Sequence, residues 1–128
     1  MKNVISACSF LMITLTVAAG EKEDRTMVKE TLLQFAAAAD AQQAEVLDKI
    51  LDPNFRIVMN RLFGSTAVAV MDKTTYLNKI RAKEFGGDKR KVEIEALVIN
   101  GNTASARVTF SGTKMTFVSF IQLIKTVE

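Results

Sequence analysis

The sequence predicts an α+β domain in which three helices are packed on a curved antiparallel sheet. Three observations carry this reading. Lys89–Val127 reads as three long strands joined by two tight turns. Two stretches before it, with a third near its start, place apolar residues at helical spacing. Between them lies a short alternating pair, Phe55–Asn60 and Thr66–Met71, split by Leu62-Phe63-Gly64-Ser65. The chain has 128 residues, enough for one domain.

The elements follow in chain order. Lys2 precedes an apolar run of about 16 residues, Val4–Ala19, closed by the small residues Ala18, Ala19 and Gly20. A basic start, a short apolar core and small residues fit an export signal. The run is short of the roughly 20 residues that span a bilayer, and its C-terminal flank, Glu21-Lys22-Glu23-Asp24, is largely acidic. Cleavage near Gly20 is expected, giving a signal peptide over 1–20 and a secreted or periplasmic domain over 21–128, in a bacterial cell envelope. Cys8 is the single cysteine and would leave with the signal, so the mature chain forms no disulfide.

The first helix of the domain is expected over Arg25–Ala39 with Asp24 as its N-cap. Val28, Leu32, Phe35, Ala36 and Ala39 make its buried stripe. Asp40 and Gln43 resemble a capping box and open a second helix with Val46, Leu47, Ile50 and Leu51 inward. Asp52-Pro53 stops it, because proline lacks a donor and disfavours helix at the residue before it. The alternating strand pair follows. Asp72 then caps a third helix, Lys73–Phe85, with Tyr76, Leu77 and Ile80 inward, and Gly86-Gly87 ends it.

In the meander, Val92, Ile94, Ala96 and Val98 are expected to share a face. Asn100-Gly101-Asn102 makes the first turn, with glycine where φ > 0 is needed. Ala104, Ala106, Val108 and Phe110 share a face of the next strand, and Ser111–Lys114 makes the second turn. The last strand carries Met115, Phe117, Ser119, Ile121 and Leu123 on one side and Thr116, Val118, Phe120 and Gln122 on the other. It is apolar on both sides, which predicts a homodimer through the sheet.

Composition narrows the chemistry. The chain has no His, so the commonest general base and metal ligand is missing. It has no Trp and a single Tyr, so an aromatic ligand would rest on Phe and Tyr76. The net charge is only +3, with Lys89-Arg90-Lys91 the single basic run, so no nucleic-acid partner is expected. No metal site, cofactor motif or catalytic set stands out, and no membrane contact is expected once the signal is gone.

The passages LLQFAAAADAQQAEVLDKILDPNF, DKTTYLNKI and VINGNTASARV, in this order, resemble the nuclear transport factor 2-like superfamily. Within it the chain is similar to the lumazine-binding or polyketide cyclase-like branch of small secreted bacterial proteins. The resemblance covers about Glu23–Val127. It implies a cone-shaped fold whose hollow, between sheet and helices, takes a small molecule. It also implies a further strand segment containing a Trp, so either the sheet is expected to be one segment short or the chain is a truncated product.

Polar residues able to line such a hollow are Arg56, Asn60, Tyr76, Arg107, Ser119 and Gln122. The alternation alone does not say which face of each strand is concave. A solvated strand face explains each of the others as well, and a core tyrosine explains Tyr76. Phenylalanines such as Phe35, Phe55 and Phe117 fit either an apolar pocket or plain core. Enzymes of this fold use a pocket Asp or an Asp–His pair, whereas here Asp40, Asp52 and Asp72 sit at helix boundaries and Glu93 and Glu95 alternate on a strand. Three functions stay open: a non-catalytic domain binding a small apolar or aromatic molecule, which the missing acid–base pair favours; an isomerase, dehydratase or cyclase using one carboxylate; and a dimerising interaction module.

Overall fold

The computed structural model describes residues 2–126, with side chains from Gly20 onward. The apolar run expected as an export signal therefore lies outside the residues whose side chains are described. The order of elements is α1 (Lys2–Asp40), α2 (Ala44–Ile50), β1 (Arg56–Asn60), a single 3-10 turn (Leu62–Gly64), β2 (Val68–Asp72), α3 (Lys73–Arg81), β3 (Lys91–Asn100), β4 (Thr103–Ser111) and β5 (Thr116–Ile124). The fold is α+β as expected: three helices with antiparallel β1-β2 and β3-β4-β5 sheets.

α1 does not begin at Asp24. Glu21-Lys22-Glu23-Asp24-Arg25 contains no breaker, and Glu21 pairs with Arg25 one turn on at 3.5 Å, so the helix runs straight through. The Asp24 carboxylate instead accepts from Lys125 Nζ at 2.9 Å, tying α1 to the end of β5. Leu32, Ala36 and Ala39 are buried as the stripe predicts.

The second expected capping site is also displaced. Asp40 is the last residue of α1, not the cap of α2. The alanine run carries the helix to it, and Gln42 at φ 57° turns the chain while Gln43 N–H donates back to the Ala38 carbonyl. α2 starts from Gln43 without a side-chain cap. Leu47 and Leu51 are buried and Val46 faces out. The α2 C-terminus is closed by Lys73, whose Nζ donates to the Asp48 and Leu51 carbonyls at 2.9 and 3.0 Å.

β1 and β2 pair with Ile57 opposite Met71 and Met59 opposite Ala69. Asp72 caps α3 as predicted, its Oδ1 accepting from Thr75 N–H at 2.8 Å. Tyr76, Leu77 and Ile80 are buried. The helix stops at Arg81 rather than Phe85, because Lys83 adopts φ 61° and swings Phe85 back onto the Tyr76 ring, centroids 6.2 Å apart. Gly86, φ 83°, then lies so close to the Ala39 carbonyl that a Cβ would not fit, and Gly87 N–H donates to Asp40 O at 2.8 Å.

β3 departs from its expected pattern. Glu95 faces Arg107 and Val98 faces Ser105, so Ala96 and Leu97 together oppose one residue, Ala106. Ala96 takes φ 50° to form this bulge. The phase shifts by one, so Leu97 joins Val92 and Ile94 against the core while Ala96 and Val98 turn outward. Arg25 Nη1 donates to the Leu97 carbonyl at 3.1 Å and so satisfies part of the interrupted ladder. β4 and β5 keep the expected alternation: Ala104, Ala106, Val108 and Phe110 are buried, and Phe117, Ser119, Ile121 and Leu123 share their side.

Two apolar clusters result. One joins Ala38, Leu47, Met71, Tyr76, Leu77 and Ile80, with Ile57 and Met59 against it. The other joins Leu32, Ala36, Ala106, Val108 and Phe110. Phe35 connects them, its ring 6.4 Å from both Tyr76 and Phe110.

Candidate functional site

The inner face of β3–β5 is the place to look for a site. Its side chains are Val92, Ile94, Leu97, Ile99, Ala104, Ala106, Val108, Phe110, Phe117, Ser119, Ile121 and Leu123. Ser119 is the only polar one. It stands opposite the fully buried Val108 and is itself half-buried. Ile121 and Leu123 pack against the sheet cluster, whereas Phe117 and Ser119 belong to neither core. That end of β5 meets the 3-10 turn instead, where Phe63 stands edge-on to Phe117 at 6.3 Å.

Tyr76 belongs to the other apolar cluster. Phe35, Phe55 and Phe85 surround its ring at 6.4, 5.5 and 6.2 Å between centroids. The residue is 5 % exposed, yet among the described residues its hydroxyl has no protein partner and no sealed polar atom is left unsatisfied. The phenol oxygen is therefore not sealed in. Burial pushes its pKa up to about 12; the Arg90 guanidinium opposes this and the Asp40 carboxylate adds to it. At neutral pH Tyr76 is a hydrogen-bond donor and not a base.

Beside it lies a group that the sequence reading placed elsewhere. Asp40 accepts from Arg90 twice, Oδ1 from Nε at 2.6 Å and Oδ2 from the backbone N–H at 3.0 Å. The side chains are 10 % and 21 % exposed. The Arg90 guanidinium also covers the Phe110 ring, 4.7 Å from its centroid. Both carboxylate oxygens are thus engaged. Other carboxylates are occupied at the surface: Asp48 by Lys73, Asp88 by Thr113, Glu95 by Arg107 and Glu45 by Arg81. No cluster of three metal-ligating side chains occurs among the described residues.

Of the six polar residues singled out by sequence, Tyr76 and Ser119 face the interior. Arg107 and Gln122 lie on the opposite face of the sheet, Arg107 paired with Glu95 at 2.9 Å. Arg56 and Asn60 are exposed on β1, on the side away from Ile57 and Met59. Ser119 thus lies on the inner face of the sheet and Tyr76 in the neighbouring cluster, while the expected amide and guanidinium groups lie outside. A hollow of about 110 Å³ lies at the far end of the sheet, between Met27, Val28 and Thr31 of α1 and the Gly101-Asn102 turn. Its charged residues, Asp24 and Lys125, satisfy each other.

Residues 23–128 match the family described as "Putative lumazine-binding". The chain belongs to that family. This lumazine-binding family member also shares its fold with a solved NTF-2 like protein of unknown function from Silicibacter pomeroyi DSS-3. The two are 12 % identical, the match covers 81 % of this chain and 85 % of the other, and the TM-score is 0.70. That likeness places the chain in the nuclear transport factor 2-like fold. Comparison with curated proteins gives no match. Among the described residues no helix is long and apolar enough to cross a membrane.

Proposed function

We propose that this domain holds a small planar aromatic molecule of the lumazine type without transforming it. The molecule sits between the Phe117–Ser119 end of β5, Phe63 and Tyr76. The observation that carries the reading is an apolar inner face with one inward hydroxyl, Ser119, beside a cluster that holds the unpartnered hydroxyl of Tyr76. Such a lining takes an aromatic ring by stacking and burial, and two hydroxyls suffice to orient its polar edge. Binding without chemistry is favoured because the one carboxylate near the phenol, Asp40, has both oxygens held by Arg90. We further propose that the chain is exported to the bacterial envelope, its apolar N-terminal run removed near Gly20; N-terminal sequencing of the recovered protein tests this.

The binding test is titration of the purified protein with lumazine, followed by ligand fluorescence. Saturable binding is expected. Ser119→Ala and Tyr76→Phe each weaken it about fivefold, the worth of one neutral hydrogen bond. Absence of binding, or wild-type affinity in both variants, overturns the reading. Turnover of the bound molecule, lost in Asp40→Asn, would favour the enzyme alternative.

A second reading rests on a separate observation. The outer face of the sheet exposes Val98, Val118, Phe120 and Ile124, which supports self-association through the sheet.

A further inference from the structure

Arg25, Arg81 and Arg107 each spend a terminal Nη group on a protein acceptor. Arg90 does not. Its side chain gives Nε alone to Asp40, and its two Nη groups find no acceptor among the described residues. No sealed polar atom there lacks a partner, so this open edge is reached from outside. Nor is the group a loose surface charge. Its side chain is 21 % exposed, pinned by Asp40 and laid over the Phe110 ring, 4.7 Å from the centroid. A guanidinium held in one place with its fork unused is prepared for a planar acceptor.

The open edge lies at the Phe117 end of the inner face. Phe110, which the guanidinium covers, pairs with Phe117 across the sheet, and Ser119 is two positions along the same strand. The Phe35 ring stands 6.4 Å from both Phe110 and Tyr76. Tyr76 carries a second donor without a protein acceptor, and its phenol is near enough to feel the Arg90 charge. Two donor groups thus flank one aromatic surface. Asp40 limits what they take. It offsets the Arg90 charge from behind, so the pair suits a single negative charge on a planar group and repels a compact double one.

We propose that the terminal edge of Arg90, together with the Tyr76 hydroxyl, binds a carboxylate carried on the aromatic ligand. The ring lies against Phe117 and its carboxylate meets the guanidinium. This inference rests on the binding reading above and names the ligand class, a planar aromatic acid.

The test is titration of the full chain with lumazine and with lumazine-6-carboxylate, the ratio of the two affinities being the readout. A hydrogen-bonded charge pair should favour the carboxylate about tenfold in the wild type. Asp40→Leu with Arg90→Met removes the fork and leaves no charge unpaired, and the ratio should fall to about one. Arg90→Lys keeps the charge but not the fork, and the ratio should fall part of the way. Excess inorganic phosphate should not displace the carboxylate. Equal wild-type affinities overturn the proposal, as does displacement by phosphate or a ratio unchanged in both variants. Should the double variant fail to fold, an unchanged ratio in Arg90→Lys overturns it alone. If neither compound binds, the binding reading falls with it. If lumazine binds and the carboxylate binds no tighter, this inference alone falls.

Discussion

Arg90 and Asp40, fifty positions apart, meet in two hydrogen bonds that fasten the end of α1 to the start of β3. The pair stands between the two apolar clusters and covers Phe110. It holds the helix at one position over the sheet and takes out of use the carboxylate nearest Tyr76.

Removing one partner of a buried pair costs about 3–5 kcal/mol, and since Arg90 keeps some solvent contact Asp40→Asn is expected to cost about 2 kcal/mol. The double change Asp40→Leu with Arg90→Met should cost less than the single one, because no charge is left without its counterpart. Urea unfolding midpoints of the single and double variants check this.

Tyr76 predicts an alkaline limit to stability. Its pKa is about 12 in the folded chain against 10 when unfolded. A group whose pKa rises on folding stabilises fully below the unfolded value and loses that contribution as pH climbs through the folded one. The loss falls between pH 10 and 12 and amounts to about 3 kcal/mol, two units of proton affinity. Tyr76→Phe should flatten this decline. Tyr76 is the only tyrosine and the chain has no Trp, so ultraviolet absorbance follows its titration alone.

Asp72 acts at the other end of the scale. Its hydrogen bonds with Thr75 hold its pKa below the usual carboxylate value. The sign is therefore reversed: its contribution is present above the unfolded pKa and fades as pH falls through the folded one. Asp72→Ser should keep the α3 cap and remove its acid sensitivity, while Asp72→Ala should lose both. Thermal unfolding of the three proteins across the acid range separates these outcomes.

The bulge allows a test that reverses an ordinary rule. Glycine in a strand usually destabilises, but Ala96 is held at φ 50°. Left-handed backbone costs a non-glycine residue about 1–2 kcal/mol, more than the entropy that glycine adds, so Ala96→Gly should raise stability by about 0.5 kcal/mol. Ala96→Val, branched at Cβ, should lower it. Thermal midpoints decide the sign.

Much of this architecture was legible in the residues. Alternation gave the strands, glycines gave the turns and Asp72 gave the start of α3. Asp40 was not legible, because an acid three residues before a glutamine carries the same local pattern whether it caps a helix or reaches fifty positions away. The bulge was hidden by Leu97-Val98-Ile99, a run apolar in either phase. The site was legible only in part. Parity grouped Ser119 with Phe117 and Ile121, but which side of the sheet the helices cover is settled by long-range packing. Glu95 opposite Arg107 was the available clue that Arg107 faces outward. Arg90 was concealed in a basic triplet that reads as solvated.

Ala96 is exposed, yet it sets the register of β3 against β4. Excising it would leave Glu95 followed by Leu97, a regular pleat with every side chain still on its present side. The inner face would survive intact and only the bulge would go. The phase of the inner face and the irregularity of the ladder are thus set by separate positions, so a single codon loss could straighten the strand without turning one inner side chain outward.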